Sequence, residues 1–180
     1  MEGKQGSYNE IAVPASVFIT LRSELSKECG SLPTIHALHA AGYAAGTEAA
    51  TGFAGGTKDG AGSMAEDTFW SRTEAFFARR GWGSLTRAQG SDAVGLLSSP
   101  DWMEATPDQV DEEGSCSFTT GFLSGFLSEV AGGPVAVLEV TCRTRGDDQC
   151  TFAFGSESAV HELYGQLLDG ADLDGAVAAL

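Results

Sequence analysis

The residues of this 180-residue chain whose type and spacing suggest chemistry most directly are its cysteines. Cys142 and Cys150 bracket a Gly-Asp turn at 146–147, so pairing of the flanking segments would bring the two thiols side by side. Cys116 stands at the start of a Phe-rich helical pattern, where free N–H groups and the helix dipole favour a thiolate. Three such thiolates predict part of a tetrahedral Zn²⁺ site.

A tetrahedral site needs a fourth ligand, and the spacing leaves its identity open. Glu139, three residues before Cys142, is the nearest carboxylate on the predicted hairpin. A regular strand puts residues three apart on opposite faces, so Glu139 requires a bulge or a strand end near Thr141. Cys29 or a water molecule is the alternative fourth ligand, and three unrelated thiols are the alternative to any metal site.

The elements that must position these residues follow from hydrophobic periodicity. It predicts helices at 14–28, 33–53, 63–80, 115–131 and 157–168. Alternation and turn residues predict strands at 84–87, 93–97, 135–142 and 150–154. This order favours an α+β fold with an antiparallel sheet and packed helices. Gly42 and Gly46, and again Gly121 and Gly125, form stripes that predict close contact with another backbone.

The chain divides into an N-terminal arm at 1–12, a single domain at 13–168, and an acidic tail or helix end at 169–180. The glycine-rich segment 55–62 predicts a loop. Residues 101–113 carry six acids and no base, which predicts a solvated loop.

Charge excludes several classes of partner. Ten Lys and Arg against 25 Asp and Glu give a net charge of −15, which repels nucleic-acid phosphates and anionic membranes. The first residues lack the basic-then-apolar pattern of a signal peptide, so the sequence predicts a cytoplasmic protein. In that reducing compartment cysteines are expected as free thiols or metal ligands.

Two sets of motifs resemble known families. Residues 139–142, followed by 146–152, resemble the closing motif of the 4-vinyl reductase domain family of predicted hydrocarbon-binding proteins, and Cys116-Ser117-Phe118 resembles the helix before that motif. Residues 21–25 and 41–46 are similar to the N-terminal sensor domain of aromatic-responsive transcription activators. Together the resemblance covers residues 13–154.

The resemblance implies a mixed helix–sheet fold, shared with vesicle-tethering subunits, that forms a homodimer. It also implies a Zn²⁺ held by three cysteines and one glutamate. These ligands fall on Cys116, Glu139, Cys142 and Cys150. Four protein ligands leave no open position for water, so the zinc would be structural.

The resemblance further implies a buried pocket. Phenol-sensing relatives anchor the ligand hydroxyl with a His and a Trp, but this sequence has no His between His39 and His161, and Phe76 and Phe77 stand roughly where the anchor His would fall. We therefore expect a pocket for an apolar or larger flat ligand, with ordinary core packing as the alternative role of each aromatic residue. Its lining would be Tyr43, Phe76, Phe77, Trp82, Phe118 and Phe122.

These features predict a non-enzymatic ligand-binding domain, since no catalytic constellation is visible. It would sense or carry an aromatic or other hydrophobic compound and signal to a regulatory partner protein, as in transcription regulation. The alternative is a tetrapyrrole-binding protein that assists vinyl reduction in (bacterio)chlorophyll synthesis, although no nicotinamide or flavin fingerprint is present. A third possibility is a structural adaptor similar in fold to the vesicle-tethering subunits.

Overall fold

The computed structural model describes residues 10–54, 64–107 and 114–180. These ranges contain six α-helices and four strands, of which the first five helices and all four strands follow the predicted order. The α+β class with an antiparallel sheet is confirmed. The elements are α1 (Ser16–Cys29), α2 (Ser31–Ala54), α3 (Glu66–Arg79), β1 (Thr86–Ala88), β2 (Val94–Ser99), α4 (Ser117–Ala131), β3 (Ala136–Thr141), β4 (Cys150–Gly155), α5 (Glu157–Leu168) and α6 (Leu173–Ala178).

Some sequence predictions concern residues outside the described ranges. They are residues 1–9 of the predicted arm, the glycine-rich segment 55–62, and residues 108–113 of the acidic segment. The division into arm, domain and tail stays a prediction. Its last segment, 169–180, contains the separate helix α6, whose Ala176 and Val177 are buried.

The sheet has the strand order β1-β2-β4-β3, and every neighbouring pair is antiparallel. The long strands β2 and β4 lie in the centre and are almost entirely buried. Edge strand β3 is half-buried along its whole length. The hairpin of β3 and β4 therefore presents its turn, where Cys142 and Cys150 stand, at one end of the sheet.

Each face of the sheet is covered by a different set of helices. Leu97 and Phe152 face the main core with α2, α3 and α4. Their chain neighbours Leu96 and Ala153 face a second core under α5 and α6. The period-two alternation of strand side chains separates the two cores.

Helices α2 and α4 approach each other more closely than side chains would allow. A Cβ built on Gly46 would lie 2.0 Å from the carbonyl oxygen of Phe122, and one on Gly121 would lie 2.0 Å from that of His39. The close backbone contact expected from the glycine stripes is confirmed.

Of the helices in the described ranges, none combines the length and apolarity that a bilayer span requires.

Candidate functional site

Three cysteines and one glutamate converge at the end of the sheet. Ligand atoms of Cys116, Glu139, Cys142 and Cys150 all lie within 4.8 Å of one another. The three cysteines are fully buried, and the sulfur atoms of Cys116 and Cys150 are 3.9 Å apart. Two thiolates bound at 2.3 Å to one tetrahedral zinc would be about 3.8 Å apart. The cluster therefore has the size and donor set of a closed Cys₃Glu metal site.

Each ligand comes from the end of an element. Cys116 is the N-cap residue of α4, Cys142 follows β3, and Cys150 begins β4. The side chain of Cys116 at the start of α4 therefore meets those of Cys142 and Cys150 at the hairpin turn.

An irregularity in β3 places Glu139 on the same side as Cys142. Glu139 pairs with Phe152 and Thr141 pairs with Thr151, so the register shifts between them. The extra residue on β3 reverses the alternation of the strand, and β3 also ends at Thr141. This is the bulge and strand end that the spacing of Glu139 and Cys142 requires.

The hairpin turn holds the backbone of Cys142. The N–H of Cys142 donates to Asp147 Oδ2 at 2.7 Å, and the guanidinium of Arg145 donates to the carbonyl oxygen of Val140, also at 2.7 Å. Gly146 has a φ of 94°, a conformation that glycine adopts without strain. The Gly-Asp turn recognised in the sequence thus orients one metal-ligand candidate.

Cys29 does not join the cluster. Its thiol is exposed at the end of α1 and donates to the carbonyl oxygen of Leu25 at 3.0 Å. All four cysteines lie in the described ranges and are free thiols. Of the two protein candidates for the fourth ligand, the structure places Glu139 beside the other three and Cys29 elsewhere.

The electrostatics of the cluster fit a cation. Burial, followed by the charge of Cys142, raises the pKa of Glu139 to about 9. Hydrogen bonds from the thiols of Cys116 and Cys150 lower the pKa of Cys142. Glu139 Oε1 is buried and has no hydrogen-bond partner among the residues that the structure describes. A divalent cation would satisfy this oxygen and offset the thiolate charges.

Five of the six predicted pocket residues form one aromatic cluster. Phe76, Phe77 and Phe122 are buried, while Trp82 and Phe118 are half-buried. Ring centroids of Trp82 and Phe122 are 4.7 Å apart, and those of Phe77 and Trp82 are 5.4 Å apart. We call these five residues the aromatic cluster.

The sixth residue, Tyr43, lies elsewhere. It is 43% exposed on α2. Its carbonyl oxygen lies against Gly125 of α4. The structure therefore places Tyr43 at the surface.

The described part of the acidic segment 101–113 corrects the prediction of a solvated loop. Trp102 and Glu104 are only 1% and 3% exposed. Glu104 accepts hydrogen bonds from the backbone N–H groups of Phe118 and Thr119 at 2.9 and 2.8 Å, and from the Thr119 hydroxyl. The start of α4 needs this acceptor because its N-cap, Cys116, makes no side-chain capping bond. The sequence gives no signal for this role, because serines at 115 and 117 offer ordinary capping side chains at the same helix start.

Glu104 connects the aromatic cluster with the metal-ligand cluster. Trp102 Nε1 donates to the Thr119 hydroxyl at 2.8 Å, on the side of the aromatic cluster. The hydroxyl of Ser115 donates to the carbonyl oxygen of Glu104 at 3.1 Å and lies 3.7 Å from Cys142 Sγ. Burial raises the pKa of Glu104 to about 7, against the opposing hydrogen bonds of Thr119 and Phe118. Sequence reasoning missed this network.

Comparison with known proteins supports the resemblance found in the sequence. No curated protein matches the chain by sequence. Residues 109–156 match the model of the 4-vinyl reductase domain family. The matched segment contains Cys116, Glu139, Cys142 and Cys150. The closing motif predicts a resemblance to this family, and that resemblance is confirmed.

Three solved structures share the fold at low sequence identity. The phenol-responsive sensory domain of the transcription activator PoxR, solved with phenol, is 17% identical, with a TM-score of 0.70 over 86% of this chain and 82% of that one. Subunit 3 of a trafficking protein particle complex from Naegleria fowleri, covalently bound to palmitic acid, is 18% identical, with a TM-score of 0.64 over 78% and 91%. A vinyl-4-reductase family protein from Methanocaldococcus jannaschii is 16% identical, with a TM-score of 0.53 over 81% and 83%.

Proposed function

We propose that this chain is a non-enzymatic, zinc-containing domain that binds an aromatic or other hydrophobic small molecule and signals to a regulatory partner protein. The proposal is carried by the observation that two different clusters meet at the start of α4. Cys116 belongs to the metal-ligand cluster, and Phe118, two residues later, belongs to the aromatic cluster. One helix end therefore joins a cation site to an apolar interior.

The donor set supports zinc in a structural role. Three thiolates and one carboxylate suit Zn²⁺ better than Mg²⁺ or Ca²⁺, which prefer oxygen ligands. Bound zinc would supply a cross-link that neutralises the buried negative charge. Cys116, Glu139, Cys142 and Cys150 would hold it, and their number leaves no position for a reactive water.

The aromatic cluster supports a hydrophobic ligand. Its members meet at tilted and edge-to-face angles, which are the geometries that aromatic rings, including those of a ligand, prefer. Two proteins of the same fold carry phenol and palmitic acid in their solved structures. We keep Tyr43 out of the proposed lining because of its exposure.

A homodimer in the cytoplasm belongs to the same proposal. Val13, Val17 and Leu21 recur at intervals of four on the α1 side of the molecule, and each is 45% exposed. This apolar stripe is suited to association with a second copy of the chain. Light scattering after size-exclusion chromatography would measure the dimer.

Native mass spectrometry of the purified protein tests the proposal. We expect one zinc ion per chain, a dimeric mass, and a co-purified hydrophobic molecule or binding of added 2-naphthylmethanol. Zinc well below one equivalent, together with an unchanged melting temperature in Cys142→Ser, would contradict the metal assignment. Absence of any hydrophobic ligand under both conditions would contradict the binding function.

The family match and the vinyl-4-reductase structure favour one further candidate, a tetrapyrrole-binding protein that assists vinyl reduction. Titration with protoporphyrin IX distinguishes it from the first. A shifted and saturable Soret band would support this candidate, and an unchanged band would count against it.

A further inference from the structure

Among the described residues, two buried side-chain polar atoms have no hydrogen-bond partner, Glu139 Oε1 and Arg22 Nη1. The first lies in the metal-ligand cluster, where a cation would satisfy it. The second is a guanidinium donor that the proposed metal does not explain. A buried donor without a partner destabilises the folded state, and a charged donor does so most strongly, so Arg22 Nη1 requires an acceptor.

Arg22 lies at the end of the aromatic cluster. Its Nη2 donates to the hydroxyl of Thr106 at 3.3 Å. Phe18, one turn earlier on α1, packs against Phe118 with ring centroids 4.9 Å apart. The side chain of Arg22 therefore projects from α1 toward the start of α4, next to the half-buried end of the cluster.

The neighbouring carboxylate does not fill the role of acceptor. Glu104 is close enough for the charge of Arg22 to lower its pKa, but no hydrogen bond joins the two side chains among the described contacts. The two oxygens of Glu104 accept from the backbone N–H groups of Phe118 and Thr119 instead. Within residues 10–54, 64–107 and 114–180, Arg22 Nη1 thus has no acceptor.

We propose that Arg22 is the polar anchor of the ligand site and selects hydrophobic molecules that carry a carboxylate. The inference rests on the function proposed above. A guanidinium offers two parallel N–H donors that match the two oxygens of a carboxylate, and the apolar body of the ligand would lie among Phe118, Trp82 and Phe122.

The negative net charge of the chain separates a specific anchor from a general attraction for anions. A chain of net charge −15 repels anions in general. A preference for an anionic ligand over its neutral counterpart therefore requires a specific local cation, which Arg22 supplies.

Calorimetric titration of the zinc-loaded full chain with two matched probes tests the inference at pH 8. The probes are 2-naphthoate and 2-naphthylmethanol, which share the ring system and differ in charge. We expect 2-naphthoate to bind at least tenfold more tightly to the unaltered protein. Arg22→Met should abolish this ratio while retaining affinity for the alcohol. Arg79→Met, at an exposed arginine on α3, should leave the ratio unchanged.

The outcomes separate this inference from the function on which it rests. Equal affinity for the two probes, or an unchanged ratio in Arg22→Met, overturns the anchor role and leaves ligand binding standing. Failure of both probes to bind the unaltered protein contradicts both proposals. If Arg22→Met shows no cooperative unfolding transition, Arg22→Gln replaces it, because glutamine keeps amide donors without the charge and should likewise lose the ratio.

Discussion

At the scale of single residues, the molecule concentrates its unusual chemistry around the start of α4. Glu104 is a buried carboxylate and Glu139 a half-buried one with a buried Oε1, and they differ in their hydrogen-bond partners. Glu104 has protein donors on both oxygens, whereas the described part of the chain provides none for Glu139 Oε1. The first carboxylate caps a helix, and the second is suited to a metal.

Glu139→Gln should therefore weaken zinc binding without preventing folding. Changes to groups that merely orient metal ligands already cost about 10–100-fold in affinity, so loss of a ligand should cost more than about 100-fold. Competition with a chromophoric chelator at pH 7 measures the affinity. Glu162→Gln, at an exposed position of α5, serves as the control. An affinity equal to that of the control would show that Glu139 is not a ligand.

Glu104 should make stability depend on pH. Its pKa is about 7 in the folded protein against an ordinary 4.5, so folding binds a proton between these values. The resulting stabilisation is fully present below pH 4.5 and is lost as the pH rises through 7. The difference in unfolding free energy between the unaltered protein and Glu104→Gln should shrink over this window. Urea titrations at a series of pH values with saturating zinc measure it, and a constant difference would contradict the assignment.

At the scale of elements, the pairing of α2 with α4 is the central contact, since α4 carries both Cys116 and Phe118. Glycines on both helices allow this pairing because their Cα atoms rest against backbone carbonyl groups. The contact cannot tolerate even one added methyl group on either side.

Gly46→Ala should accordingly destabilise the protein strongly. The new Cβ would lie 2.0 Å from the carbonyl oxygen of Phe122, which forces the two helices apart at a cost of about 3 kcal/mol. Gly165→Ala in α5 is the matched control, because a Cβ there meets no atom within 4 Å and alanine favours helix by about 1 kcal/mol. Thermal melts should move in opposite directions, and equal melting temperatures would contradict the close-packing account.

At the scale of the whole molecule, the metal-ligand cluster joins parts of the chain that the sheet alone does not hold together. It links the start of α4 to both strands of the β3–β4 hairpin. The second core under α5 and α6 lies on the opposite face of the sheet. Metal loss should therefore affect the two sides of the molecule unequally.

Chelation of zinc should lower the melting temperature and loosen the structure locally. Free zinc at 100 times its dissociation constant stabilises by about 2.7 kcal/mol, or on the order of 5–10 °C for a domain of this size. Hydrogen exchange should increase at 114–119 and 139–150 but not in α5. Cys29→Ser should respond like the unaltered protein. Uniform exchange across the chain after chelation would contradict a local cross-link.

Much of this architecture could be predicted because it depends on local pattern. The Phe row of α4, the Gly-Asp turn and the spacing of Cys142 and Cys150 each report on neighbouring residues, so helix, hairpin and thiol pair followed from the sequence. Glu104 could not be predicted in this way. Six acids without a base indicate a solvated segment. Glu104 is buried instead because it accepts hydrogen bonds from the free backbone N–H groups at the start of α4, which lies more than ten residues further along the chain.

The sequence by itself determined the α+β fold, the family resemblance and three thiols able to share one metal ion. Only the tertiary structure decided that Glu139 rather than Cys29 stands beside them, since a shift in strand register changes which face a residue occupies. It alone also placed Tyr43 outside the aromatic cluster and Arg22 beside it. Burial, charge compensation and free donors depend on residues far apart in the chain, and packing brings those residues together.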